Sequence, residues 1–448
     1  MFSLLSLILI VLSVVGCSSE KTIILDEPST TVEYVYVKHN QWIYSQMNYS
    51  YLWRLDMPDS LACNYELNPP EFFQSLLSEK DRFSYLANNP NYSSEESANL
   101  GFAYQKYRDS KGTEAILILY TTSDEIVGKG IHRGDFFSVV KETNEYIDIR
   151  RVSLDVNRNL FEDGSEVFRI YRNYFKHSTV IKDSVYHIDN HSIGYMCYAE
   201  FDHVSDLNRS LRKFSDNEIT DLVLDLRYNP GGYVSTCQFL CNCIVPEKAY
   251  GNIFQQYSYN DVLSRLYKLK TGDERTFSYF STPSDAGNSN LSSSLVPLKM
   301  NRIFILVSAN TASASEATII CLAPYMEVVV IGDKTVGKGV GSYPIMNNKF
   351  KYGINAITFR YYNALGESVP DDGIIPDFLV SDYGCDKLVG LGDINEPLLN
   401  AALKLIIPEM NGNMDSKGSR NISFSTLRKI GEPSFVLEFN NKYHQYEN

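Results

Sequence analysis

Three short segments carry residue types that could do chemistry together. The segment 310–316, Asn-Thr-Ala-Ser-Ala-Ser-Glu, puts Ser313 and Ser315 where an apolar strand pattern gives way to a helical one. A serine there is placed for nucleophilic attack, because a helix N-terminus stabilises developing negative charge and offers the N–H of Ala314 as a donor. Ser313-x-x-Glu316 also fits a capping box, which explains both residues on structural grounds alone. A second segment, 328–339, runs from a Val-rich strand into a Gly-rich loop that holds Lys338 between Gly337 and Gly339. A lysine serves as general base when burial or nearby positive charge lowers its pKa from about 10.4 toward neutrality. The third segment, 224–232, ends in Asn229-Pro230-Gly231-Gly232. Paired glycines let backbone N–H groups point into a cavity, which suits an oxyanion, although a tight strand-to-helix turn is their commoner meaning. None of the seven histidines falls in these segments. The set therefore suggests a Ser/Lys pair in place of a His-containing triad. Gly332-x-x-x-x-Gly337-Lys338 also approaches a phosphate-binding loop, but Gly339 stands where Ser or Thr would ligate Mg²⁺.

The elements that must position these segments follow from periodicity. Between about 182 and 408, apolar strands at 193–201, 221–226, 302–307 and 328–331 alternate with helical stretches at 207–214, 234–245 and 314–322. This is the pattern of a layered α/β sheet with its sites at strand ends. The polar stretch 249–296 reads as an insertion over one face. Upstream, 32–85 is helical and aromatic and predicts a small cap, and 88–98, rich in Asn, Pro and Ser, reads as a linker or exposed loop. From Leu100 the period turns to two, with strands at 115–120 and 136–140 around a helical stretch at 124–128.

At 448 residues and 44% hydrophobic the chain can bury a large core, and a net charge of -13 argues against nucleic acid as a partner. The run 4–15 is almost wholly apolar, too short to span a bilayer comfortably, and closes on Gly16-Cys17-Ser18. It resembles a bacterial lipoprotein signal, although no Lys or Arg precedes it, and it implies lipidation at Cys17 and a lipid-anchored place in the cell envelope. The cluster Cys237, Cys241 and Cys243 lacks paired CxxC spacing and a nearby His, so a core role is expected over a metal site.

Taken together, the segments resemble the C-terminal processing peptidases, or tail-specific proteases. The family's DLRxNxGG turn matches Asp225 to Gly232, its TASASE matches Thr311 to Glu316, and its GxxTxGKG matches Gly332 to Gly339. The family's interval of 25 residues between nucleophile and base separates Ser313 from Lys338, which selects Ser313 over Ser315. The resemblance implies an α/β fold with a Clp-protease/crotonase-like core at 179–410. A signal peptide at 1–16, an N-terminal helical region with linker at 17–97 and a PDZ-like β-domain at 98–178 would precede it, and a C-terminal extension at 411–448 would follow. It further implies Ser313 as nucleophile, Lys338 as base, and oxyanion donors from Ala314 and from Gly231 or Gly232. Polypeptide substrates cut near their C-termini are expected, with no metal or organic cofactor. Leu100-Gly101-Phe102 resembles a PDZ carboxylate-binding loop, and 130–135 the Gly-Asp turn of that domain, with Ile126 in place of a small residue. Where the family has Gln four residues beyond the lysine, this chain has Ser342, the candidate third member. The rival reading is an envelope lipoprotein that binds peptides in the same groove with weak or no hydrolysis.

Overall fold

The computed structural model describes residues 31–88, 99–173, 178–282, 295–382, 388–412 and 427–434. The N-terminal apolar run, Cys17 and most of the expected linker lie outside them.

Helices α1 (Thr31–Ser50) and α2 (Pro69–Ser75) form the cap. Asn68 starts α2 by accepting the N–H of Glu71, with proline in the first turn where its missing donor costs nothing. Ile43, Met47 and Tyr51, spaced by four, pack on Phe72, Phe73 and Leu76. Strand β1 (Tyr85–Asn88) then leaves the cap.

The β-domain holds β2 (Phe102–Arg108), β3 (Glu114–Thr121), the short α3 (Asp124–Gly128), β4 (Phe136–Glu142), β5 (Tyr146–Asp155) and β6 (Leu160–Tyr171). The core continues through β7 (Val180–Ile188), β8 (His191–Tyr198), α4 (Val204–Asp216), β9 (Asp221–Asp225) and α5 (Val234–Ile244). Next come β10 (Ile253–Tyr259), α6 (Asp261–Thr271), β11 (Thr276–Tyr279), β12 (Arg302–Val307), α7 (Ala314–Leu322) and β13 (Glu327–Gly332). The chain then gives β14 (Val340–Ser342), β15 (Ile345–Asn347), β16 (Tyr352–Asn355), β17 (Ile357–Tyr362), β18 (Phe378–Leu379), α8 (Pro397–Ile406) and β19 (Arg428–Ser434).

The central sheet runs β18-β13-β12-β9-β8-β7, parallel except at β7. Successive residues face opposite sides, as a pleated strand requires. Leu222, Leu224, Ile303 and Ile305 therefore pack with α4, α5 and α7, while Val223, Phe304 and Leu306 pack under α8. Both faces are covered, which is why these strands read as continuous apolar runs. Strands β9, β12 and β13 end level, Leu306 lying opposite both Asp225 and Ile331, so their three loops leave one edge of the sheet together.

Two features depart from the sequence reading. The stretch read as a polar insertion builds β10, α6 and β11, and β10 pairs with β17 in a sheet ordered β11-β10-β17-β14. Its buried Phe254 and Tyr257 join the main core. Those apolar side chains were masked by the polar residues that alternate with them. The C-terminal extension returns as β19 along the outer edge of β2, where Gln105, itself buried, donates to the carbonyls of Ile430 and Gly431. Pairing removes an open sheet edge, a long-range contact that local periodicity does not signal.

The cap is joined to the core by pairing as well as by sequence. β1 lies antiparallel to β16 in a sheet ordered β1-β16-β15, and Ile354 of β16 sits in the cap's own cluster.

Candidate active site

The edge where β9, β12 and β13 end brings the three chemistry-bearing segments together. Ser313 precedes α7 with φ 56 and ψ -114, a conformation that non-glycine residues rarely adopt and that ordinary helix caps do not use. Gly231 lies against it. A Cβ on Gly231 would come 2.7 Å from the Ser313 Cβ and 3.0 Å from the Ala314 nitrogen, and its φ of +113 independently favours glycine. Gly232 is equally confined, since a Cβ there would meet the Phe201 carbonyl oxygen. The turn is stitched on both sides. Phe201 donates its N–H to Gly231, and Tyr233 donates to Phe201. The Gly231 N–H is itself donated to Asn229 Oδ1 at 2.9 Å.

Below the turn lies a buried ion cluster. Arg227 is wholly buried and ion-pairs with Asp225, Asp382 and Glu396. Arg133 of the β-domain ion-pairs with the same Asp382 and hydrogen-bonds the hydroxyl of Tyr228. Both guanidinium groups hold the Asp382 carboxyl down to about 2 despite its burial. The residues leading into the Gly231 turn are thus fixed from both domains.

Glu316, fully buried, ties the serine to the lysine. Its Oε2 accepts the N–H of Ser313 at 2.9 Å and of Lys338 at 2.8 Å, and its Oε1 accepts the N–H of Gly337 at 2.7 Å and the hydroxyl of Thr335 at 2.6 Å. Burial pushes this carboxyl above its usual range while the four donors pull the other way. Tyr361 adds a second tie, its hydroxyl donating to the carbonyls of Ser313 at 3.0 Å and Lys338 at 2.9 Å. Burial, foremost, raises that phenol well above its ordinary range, so it stays a donor.

Beside Ser313 a small recess is lined by Val234, Cys237, Ala317, Val340, Phe359 and Tyr361. Cys237, Cys241 and Cys243 are buried free thiols, with Cys243 pushed up to about 12 by burial. Among the described residues no group of His, Cys, Asp and Glu is arranged to hold a metal, and no helix is long and apolar enough to cross a membrane.

Ser313, Ala314, Gly231, Gly232 and Lys338 are thus gathered at one place. Ser342 ends β14, opposite Ile357 and next to the Gly341 that borders the recess. Leu100, Gly101 and Phe102 sit apart in the β-domain. There Leu100 and Phe102 are buried in the core, and Gly101 donates its N–H to Asn99 Oδ1 at 2.8 Å. Among the described residues α3 is the one helix between 99 and 173, and β19 pairs with β2 along its outer edge. Sequence reasoning missed Tyr361, Asn229, Arg227 and the clamping role of Glu316. Glu316 had a visible signal as the last residue of its capping box, and Arg227 and Asn229 as fixed letters of the DLRxNxGG turn, whereas Tyr361 had none.

Residues 192–380 match the peptidase family S41 domain, and residues 38–85 the S41 N-terminal domain. The chain belongs to peptidase family S41. It is similar to the carboxy-terminal processing protease CtpB of Bacillus subtilis, 29% identical over 175 residues, 38% of this chain and 30% of that one. It is also similar to the carboxy-terminal-processing protease of Bartonella bacilliformis, 25% identical over 284 residues, 58% of this chain and 57% of that one. The matched stretches therefore span less than two thirds of these relatives. A solved protein described as an S41 protease of Bacteroides fragilis shares the fold, with a TM-score of 0.68, 24% identity, and coverage of 84% of this chain and 98% of that one.

Proposed function

We propose that the chain is a serine endopeptidase acting on extended or unfolded polypeptides, in which Ser313 attacks the scissile carbonyl and Lys338 takes and returns its proton. The N–H groups of Ala314 and Gly232 receive the developing oxyanion, and Asn229, by engaging the Gly231 N–H, orients the turn. The observation that carries this reading is the joint tethering of Ser313 and Lys338 by Glu316 and Tyr361. A helix cap alone needs neither the strained serine backbone nor a shared clamp on a lysine loop.

The recess beside Ser313 suits an uncharged side chain of the residue on the acyl side of the cut, because its walls are mainly apolar. Cleavage near C-termini is part of the proposal, supported by the named activity of the relatives. So is a lipid anchor on Cys17, which rests on the apolar run before it. Incorporation of labelled fatty acid, lost in Cys17→Ala, tests the anchor.

The decisive experiment uses purified protein and an unfolded protein substrate. Hydrolysis by wild type, its loss in Ser313→Ala and in Lys338→Ala with peptide binding retained, and fluorophosphonate labelling at Ser313 are expected. Peptide binding with no hydrolysis or labelling in wild type would overturn the reading in favour of a peptide-binding lipoprotein.

A further inference from the structure

Lys338 sits on a stretch, 333–339, that is neither helix nor strand. A lysine side chain has four rotatable carbons, so its amine is delivered to one place only if the backbone beneath it is held and its tip is confined. The backbone is held by three clamps. Glu316 accepts the Lys338 N–H, and Tyr361 donates to the Lys338 carbonyl. The third comes from the cap, where Arg82 Nη2 donates to the carbonyls of Gly337 at 3.1 Å and Asp371 at 2.6 Å. The tip is met by the cap too. The Phe83 ring centroid lies 5.3 Å from Lys338 Nζ, and the Arg82 guanidinium lies 4.9 Å from the same centroid.

These two residues stand on a built turn. Asp81 Oδ1 accepts the N–H groups of Phe83 and Ser84, both at 2.9 Å, and its Oδ2 accepts the hydroxyl of Tyr51, a residue of the cap core. Ser84 Oγ in turn accepts the N–H of Ile357, just before β1 pairs with β16. Arg82 and Phe83 are therefore fixed on both the cap and the core.

We propose that Arg82 and Phe83 are positioning residues for Lys338, so that the N-terminal cap completes the catalytic apparatus. This rests on the reading of Lys338 as general base. Domain packing alone would make the same contacts matter for stability and not for turnover.

The test measures full-length Phe83→Leu and Arg82→Met on an unfolded polypeptide substrate. Expected is a kcat about 10- to 100-fold lower, with KM within about twofold, because a base displaced by a fraction of an ångström loses rate without losing substrate binding. Fluorophosphonate labelling of Ser313 should slow in parallel, while the thermal midpoint stays within a few degrees. Phe83→Tyr keeps the ring and should restore kcat. Lys80→Ala, which breaks a surface pair with Asp56 on the same cap, should leave kcat at the wild-type value. Wild-type kcat in both Phe83→Leu and Arg82→Met, or a loss that merely follows a lowered thermal midpoint, would overturn the inference while leaving Lys338 as base. Absence of hydrolysis and labelling in wild type would overturn both.

Discussion

The backbone N–H groups of Ser313 and Lys338 donate to one carboxylate oxygen, Oε2 of Glu316, at 2.9 and 2.8 Å. One buried side chain therefore sets the relative position of the loops that follow β12 and β13. With the second oxygen held by Gly337 and Thr335, all four acceptor directions of the carboxylate are used.

Glu316→Gln tests that geometry. An amide keeps one acceptor oxygen and turns an NH₂ toward two donors, leaving buried N–H or O–H groups unpaired. A stability loss of about 2–4 kcal/mol is expected from guanidinium unfolding. Turnover should fall about 100-fold or more, since the serine and lysine loops lose their common anchor. Wild-type turnover in this variant would show that the two loops are positioned independently of Glu316.

Gly231→Ala probes the turn beside the nucleophile. The added methyl would stand 2.7 Å from the Ser313 Cβ at a φ of +113, and backbone surrounds it, so nothing soft can yield. A drop in thermal midpoint together with a loss of at least about 100-fold in kcat/KM is expected, by analogy with removal of an oxyanion donor. The informative comparison is Gly251→Ala, whose Cβ would meet nothing within 4 Å and which should keep full activity.

The α/β core was readable because its strands are buried on both faces and its site residues sit in short local motifs. The pairing of Ser313 with Lys338 came from a resemblance and an interval, and the distances that tie them run through Glu316 and Tyr361. Tyr361 belongs to β17, where an aromatic between other aromatics looks like core. Its polar role depends on a hydroxyl meeting two carbonyls from distant loops. Arg227 reads as a strand-end charge, and its burial with Asp225, Asp382 and Glu396 depends on contacts up to 169 residues away. The loop expected at 100–102 shows the limit of a local motif: its spacing is visible in the sequence, whereas the burial of Leu100 and Phe102 in the β-domain core and the Gly101 N–H bond to Asn99 depend on the folded chain.

Val234 is one of the residues that line the recess beside Ser313. It is half-buried at the start of α5, away from the hydrogen bonds that tie Ser313 to Lys338. Val234→Ala should widen the recess and shift preference toward larger apolar side chains on the acyl side of the cut, and Val234→Phe should restrict it to small ones. One methylene in an apolar pocket is worth about 1–3 kcal/mol, so kcat/KM ratios for Ala against Leu peptides should move about 10-fold or more in opposite directions. Identical cleavage-site profiles for both variants, read by mass spectrometry, would place the specificity pocket elsewhere.

Glu200 makes stability depend on pH. It is buried at the end of β8, its neighbour Phe201 is stitched to the Gly231 turn, and burial first, then the charge of Asp202, raises its carboxyl from the ordinary 4.5 to about 8. Tyr198 and Asp202 are the titratable groups that face it, and Asp202 is paired with His203 at 3.3 Å. Between pH 4.5 and about 8 the folded protein keeps a proton that the unfolded chain has released, so stability falls as pH rises through that window. Glu200→Gln removes the titration. Its stability advantage over wild type should be absent near pH 4, grow by up to about 1.4 kcal/mol per pH unit, and level off above about pH 8. Parallel stability curves for wild type and variant across pH 5 to 8 would mean that Glu200 is ionised in the folded protein.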